Sequence, residues 1–257
     1  MNYKIVFFDV DGTLINYEDG CISPSTKSAI QVLKSKGIRL VAATGRPLSM
    51  CHALKDLGID TFITANGAYT KHRDQVIHKI PIPKLIVRTV KDFADENKQS
   101  LSFFTEKLTM NKIQNPTTFQ AMRETLSLLE YPKINEKIIN EEIYLMCLYA
   151  EEETIRKYEM QFPDLKFHRW HSHIVNVLHE EVSKSIAIKE VLKYFNITSD
   201  EALAFGDGDN DIDMLETVGY GISMGNGSDK LKESADFVTK KSNEDGIEFA
   251  LQYLQLI

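Results

Sequence analysis

The stretch Lys4-Ile5-Val6-Phe7-Phe8-Asp9-Val10-Asp11-Gly12-Thr13-Leu14 decides the fold. Its opening residues are rich in β-branched and aromatic side chains and suit a strand buried on both faces of a parallel sheet. Two aspartates fall where that strand runs out. Gly12 permits a sharp bend and a close backbone approach by a ligand, while Thr13 sets a hydroxyl beside the acids. Such a tip can hold an oxyanion and a cation together. A plain Asp-Gly turn after an edge strand would use the same residues, so the choice rests on the rest of the chain.

Working outward, Ser23-Pro24 opens a helix that carries Ile30 and Leu33 on one side and stops near Gly37. A second apolar run over 38–43 ends in Thr44-Gly45-Arg46-Pro47, with Pro47 predicted to open the next helix. A third strand over 62–64 precedes Asn66-Gly67, and 76–80 reads as a hairpin arm. Strand, loop and helix alternate, which argues for a parallel sheet with right-handed crossovers. From about Ile82 the pattern changes to a helix over 85–96, strands over 101–105 and 143–149, and helices over 117–129 and 151–161. Strands over 166–170 and 174–178 could pair. The first pattern resumes at Val182-Ser183-Lys184 with a helix carrying Ile188, Val191 and Leu192. A strand over 202–205 empties into Gly206-Asp207-Gly208-Asp209-Asn210-Asp211, and short strands follow over 220–223 and 237–239. The chain therefore reads as α/β: a Rossmann-like doubly wound parallel-sheet core over 1–81 and 180–257, with an inserted α/β domain over 82–179.

Asp9, Thr44 and Asp207 each come at or just beyond the carboxyl end of a predicted strand. In a parallel sheet those ends share one edge, where open α/β sheets bind ligands. Thr44-Gly45 at a helix entrance offers a hydroxyl and amides to a phosphate, or equally a cap to the helix. Lys184, near the start of its helix, is unfavourably placed in the helix dipole if it serves stability alone, and as part of the set it supplies charge to a phosphoryl oxygen. Asp207, Asp209 and Asp211 match positions one, three and five of a calcium loop. Ile212 and Val218 then stand where glycine and a bidentate glutamate are required, and a strand precedes the loop rather than a helix. Carboxylates on two strand tips better suit magnesium, which takes few protein oxygens.

Asp9 to Leu14, Thr44-Gly45-Arg46, Lys184 and Gly206 to Asp211, in that order, resemble the haloacid dehalogenase superfamily of phosphohydrolases. Its first motif is a hydrophobic strand followed by D-x-D-G-T-[LV]. The long insertion, with Met224-Gly225-Asn226 through Ala235-Asp236 and Asp245-Gly246, resembles the Cof-type branch with its α/β cap. Ser185 departs from that branch, which usually has glycine after the lysine. The resemblance implies Asp9 as covalent nucleophile and Asp11 as general acid and base. It implies Mg2+ on Asp9, the main-chain oxygen of Asp11 and Asp207, with Asp211 close by. The Val10 and Gly45 amides, Thr44, Lys184 and Asn210 would hold phosphoryl oxygens. The implied activity is magnesium-dependent hydrolysis of small phosphomonoesters through an aspartyl-phosphate, with the inserted domain as a lid. A phosphotransferase or phosphomutase, or a non-catalytic phosphometabolite sensor, would keep the same residues.

With 257 residues, 43% apolar and 26% charged, the chain can bury a large core and a second module. A net charge of −7 argues against a nucleic-acid or anionic-membrane surface, and the resemblance implies a small phosphorylated metabolite as the partner. No apolar stretch approaches a membrane span and no basic leader precedes the first strand, so a cytoplasmic location is expected. Cys21, Cys51 and Cys147 fit neither a disulfide framework nor a zinc pattern. His168, His171 and His173 have no carboxylate at ligand spacing. Trp170 among them is expected in the core of the inserted domain or in hairpin packing.

Overall fold

Strand β1 (Ile5–Asp9) is buried at every residue, as an unbroken apolar run requires. Ser23 caps α1 (Pro24–Ser35) by accepting from the Thr26 amide, and Pro24 starts the helix where a missing N–H costs nothing. After β2 (Arg39–Ala43), Pro47 does not open a regular helix. A 3₁₀ turn at Leu48–Met50 and the four-residue α2 (His52–Lys55) stand there instead. The Thr44 hydroxyl is already spent on the Arg46 amide, and Cys51 makes no side-chain cap, so nothing nucleates a longer helix. Strands β3 (Thr61–Thr64), β4 (Tyr69–His72) and β5 (Gln75–Lys79) follow.

Next in the chain come α3 (Lys84–Glu96), β6 (Ser100–Phe104), β7 (Leu108–Met110), α4 (Pro116–Leu126) and β8 (Lys133–Ile134). Then β9 (Leu145–Tyr149), α5 (Glu152–Gln161), β10 (Leu165–His171) and β11 (Ile174–His179) follow. The last stretch holds α6 (Lys184–Phe195), β12 (Ala202–Gly206), α7 (Ile212–Thr217), β13 (Tyr220–Ser223), α8 (Asp229–Ser234), β14 (Phe237–Val238) and α9 (Gly246–Tyr253). This computed structural model describes residues 3–257. The chain divides into two units: Met1–Arg46 with Cys51–Lys79 and Ser183–Ile257, and Pro47–Met50 with Ile80–Val182.

The first unit holds an eight-stranded sheet in the order β14-β13-β12-β1-β2-β3-β4-β5. Pairing is parallel from β14 to β3, and the hairpin of β4 and β5 adds antiparallel strands at one edge. The hairpin arm expected over 76–80 is β5, and it makes the sheet mixed at this edge; its partner β4, its first residues buried, was not legible as a strand. β1 lies between β12 and β2, with Phe8 opposite Phe205 and their rings stacked 5.3 Å apart. One apolar face joins Ile5, Phe7, Val41 and Ile63 to Ala187, Ile188 and Val191 of α6.

The second unit holds a six-stranded sheet in the order β10-β11-β9-β6-β7-β8. Leu101, Phe103, Met146, Leu148, Val175 and Val177 share one face with Val87, Val90, Ile155 and Tyr158 of α3 and α5. Helix α4 ends at Leu126, short of the expected 129, because Ser127 turns left-handed at φ 53°. Trp170 is not core: it is 44% exposed, and its indole N–H donates to Asn176 Oδ1 across the β10–β11 hairpin. All three cysteines are free thiols. Among the described residues no helix is long and apolar enough to cross a membrane.

Candidate active site

Parallel pairing of β2, β1 and β12 brings the carboxyl ends of these strands to one edge, and the site residues gather there. Asp9 closes β1, Thr44 follows β2, and Asp207 follows β12. Ser183 caps α6 by accepting from the Ile186 amide, which sets Lys184 at the first position of that helix. Gly67 makes the approach possible: at φ +106° its absent Cβ would stand 2.1 Å from the Ser183 carbonyl oxygen.

Lys184 is the electrostatic centre. Its Nζ lies 2.7 Å from Asp9 Oδ1, 2.5 Å from Asp211 Oδ1 and 3.0 Å from the Ala43 carbonyl, and the residue is 1% exposed. Burial disfavours the ammonium, but Asp211 and Asp9 overcome it and hold the Lys184 pKa above its ordinary value. Asp211 is fixed from its other oxygen, which accepts from the Asp207 and Gly208 amides at 3.0 Å each. Asp207 Oδ1 accepts from the Thr13 hydroxyl at 2.9 Å. Asp9, Asp207 and Asp211 each offer a carboxylate oxygen within 4.8 Å of the others, all three buried.

Three carboxylates face one ammonium, and the imbalance shows at Asp207 and Asp9. Burial first, and then Asp211, push the Asp207 carboxyl up to about 7. Asp9 is likewise raised well above the carboxylate range by burial and by Asp211, with Lys184 opposing. A buried all-oxygen set with surplus negative charge fits a hard divalent cation such as Mg2+, which takes carboxylate and carbonyl oxygens.

Asp11 stands apart from that cluster. Arg46 grips its carboxylate in two parallel bonds, Nε to Oδ2 at 2.8 Å and Nη2 to Oδ1 at 2.5 Å. Of Asp11 only the carbonyl oxygen turns toward Asp207, accepting from the Tyr17 hydroxyl. Val10 and Thr44 are buried beside the cluster, and Gly45 faces Asn66, whose Oδ1 would lie 3.2 Å from a Cβ at that glycine. Asn210 is exposed and donates to Asn66 Oδ1 at 3.3 Å, so it sits on the rim rather than among the buried carboxylates. Ser185, where the resemblance led one to expect glycine, fits without strain: its amide donates to Asp213 Oδ2 and its hydroxyl meets that of Ser183.

Sequence reasoning missed four participants. Arg46 was part of a motif but carried no role. Tyr17 belongs to a loop with no recognisable pattern, and Asn226 lay in a stretch quoted for the resemblance but carried no role; it donates to the Gly12 carbonyl at 2.8 Å. Asn66 left a signal, since Asn-Gly after a strand favours the left-handed backbone it adopts at φ 55°.

Comparison with known proteins identifies the family. The family model for haloacid dehalogenase-like hydrolases matches residues 6–251. YkrA of Bacillus subtilis strain 168, named as a candidate phosphatase, is 34% identical over the whole of both chains. YitU of the same organism, a 5-amino-6-(5-phospho-D-ribitylamino)uracil phosphatase, is 26% identical over 98% of each. The solved structure of the subclass IIB sugar phosphatase BT4131 superposes with a TM-score of 0.88 at 31% identity, covering 99% of this chain and all of that one. With its α/β fold and the buried acids at one sheet edge, this chain belongs to the haloacid dehalogenase-like hydrolases and is a Cof-type phosphatase among them.

Proposed function

We propose that the protein hydrolyses small phosphomonoesters, sugar phosphates or cofactor-related phosphates, through a phosphorylated Asp9, with Mg2+ as its cofactor. The observation that carries this reading is the buried set of Asp9, Lys184, Asp207 and Asp211, with Asp11 held beside it as a separate, partly exposed carboxylate. Only Oδ1 of Asp9 is tied to Lys184, which leaves Oδ2 to attack phosphorus. As that bond forms, the ester P–O bond breaks and the departing alkoxide takes its proton from Asp11, which enters this step as the protonated acid and leaves it as the carboxylate. Asp11 then removes a proton from water, whose oxygen displaces Asp9 and releases inorganic phosphate. Lys184, the Thr44 hydroxyl, Asn210 and the amides of Val10 and Gly45 hold the phosphoryl oxygens, so that catalysis is chiefly positioning and charge stabilisation.

Asp9, Asp207, the Asp11 carbonyl and Asp211 nearby would hold the magnesium, which when bound neutralises phosphoryl charge and offsets carboxylate repulsion. Asp211 acts through Lys184 and the loop amides it fixes. The unit of Ile80–Val182 is proposed as the cap that selects the leaving group. The activities named for YitU and BT4131 motivate the substrate classes to try.

The test is phosphate release from p-nitrophenyl phosphate, a sugar-phosphate panel and 5-amino-6-(5-phospho-D-ribitylamino)uracil, with and without EDTA, beside Asp9→Asn. Release that needs magnesium and disappears in Asp9→Asn is expected. Transfer of the phosphoryl group to a second metabolite without free phosphate would make the protein a phosphotransferase, and binding without turnover would make it a sensor.

A further inference from the structure

Tyr17 belongs to no motif, yet its hydroxyl reaches two of the residues that the magnesium reading uses. It donates to the Asp11 carbonyl at 2.8 Å and lies 3.3 Å from Asp207 Oδ2. Its ring crosses Gly12, where a Cβ would stand 2.4 Å from Tyr17 Cε2 and 2.1 Å from Asp207 Oδ2. Tyr17 as a residue is 72% exposed, so apolar burial does not account for this orientation. The polar end does. The loop beneath is firmly built, because Asn16 Oδ1 accepts from the amides of Glu18 and Asp19 while Asn16 Nδ2 donates to the Cys21 carbonyl.

Resting on that magnesium reading, we propose that Tyr17 is a latch on the metal-binding face: its hydroxyl occupies the Asp11 carbonyl and Asp207 Oδ2 until a divalent cation displaces it. A donated proton sits roughly 1.9 Å from its acceptor, and Mg2+ sits about 2.0–2.1 Å from an oxygen ligand. Both are positive and seek the same lone pairs, so cation and hydroxyl exclude one another there. Arg46 is no competitor, since it takes the Asp11 carboxylate rather than the carbonyl. Asn226 reaches Asp207 Oδ2 only at 3.5 Å, and its shorter bonds go to the Gly12 carbonyl and from the Ser242 amide. The exposed ring can swing outward without opening the core. Tyr17 thereby sets the affinity for the cation and keeps these oxygens hydrogen-bonded in its absence.

The experiment is calorimetric titration of metal-stripped protein with MgCl2, comparing wild type, Tyr17→Phe and Asp207→Asn. Tyr17→Phe keeps the ring and removes the donor, so its Kd for Mg2+ is expected to fall about threefold to tenfold, the range one net hydrogen bond supports. Wild-type protein should also show a magnesium-dependent change in its tyrosine ultraviolet difference spectrum that Tyr17→Phe lacks. An unchanged or weaker Kd in Tyr17→Phe overturns the latch while leaving the metal site intact, provided that Asp207→Asn loses binding. Magnesium binding retained in Asp207→Asn, or absent from every form, overturns the metal reading and the latch with it.

Discussion

Lys184→Met deletes the ammonium between Asp9 and Asp211 while nearly keeping side-chain volume. Both carboxylates then remain buried, 6% and 1% exposed, with no counter-charge between them. Removing one partner from a buried ion pair costs about 3–5 kcal/mol, because the remaining charge is uncompensated, and here two charges are left. At about 2–4 °C per kcal/mol for a unit of this size, the thermal midpoint of metal-free protein should drop by roughly 6–20 °C near pH 8. The deficit must depend on pH. Asp9 is already raised by burial and Asp211, and loss of Lys184 raises it further. An acid whose folded value exceeds its unfolded one binds more protons when folded, so stability falls as pH rises between the two values. The variant should therefore approach wild type near pH 5 and fall behind progressively toward pH 8. Near-ultraviolet circular dichroism in chelator, with hydrogen exchange at β1 and β12 to assign the transition, measures this without assuming that both units unfold together. A deficit below about 1 kcal/mol, or one flat across pH, would refute Lys184 as the counter-charge of the site.

Substitutions at Gly67 and Arg46 test how the lysine and the outer aspartate are held. Gly67→Ala drives a Cβ to 2.1 Å from the Ser183 carbonyl at φ +106°, so α6 must shift and carry Lys184 with it. A loss of about 2–3 kcal/mol in stability and a fall in kcat approaching a hundredfold are expected. Gly37→Ala, at φ +75° with nothing within 4 Å, should cost only about 1 kcal/mol and leave kcat alone. Arg46→Ala frees a carboxylate whose pair is only partly buried, with side chains 18% and 36% exposed. Stability should change little while kcat drops about tenfold to a hundredfold as Asp11 loses its position. Because a single point charge does not reproduce the two-pronged grip, Arg46→Lys should recover only part of the rate.

What could be read ahead of the structure was whatever leaves a local signal. β1 declared itself by an unbroken apolar run, α1 and α6 by Ser23 and Ser183, and the site edge by acids and small residues where strands end. Elements without such signals were missed. β8 has only two residues, both exposed, and its pairing with β7 defines it. Of the two places expected for Trp170, the hairpin is the one it takes, because its indole N–H finds Asn176, a partner that its own stretch of chain does not reveal.

The same division runs through the active site. That three acids and one lysine leave surplus negative charge follows from residue identities, and so does the demand for a cation. How the surplus is carried before a cation arrives does not, because it depends on contacts between distant positions. Thr13 donates to an aspartate 194 residues away, Tyr17 to one 190 away, and Lys184 bridges 175 residues to Asp9. The answer in the folded protein is that neutral donors and protons do the carrying. Asp207, pushed to about 7 and ringed by hydroxyls, takes up a proton below neutrality instead of forcing the strand tips apart. On the proposed metal reading, a cation that enters would displace both a proton and a hydrogen bond, so its capture would depend on pH and on Tyr17, which belongs to none of the quoted motifs.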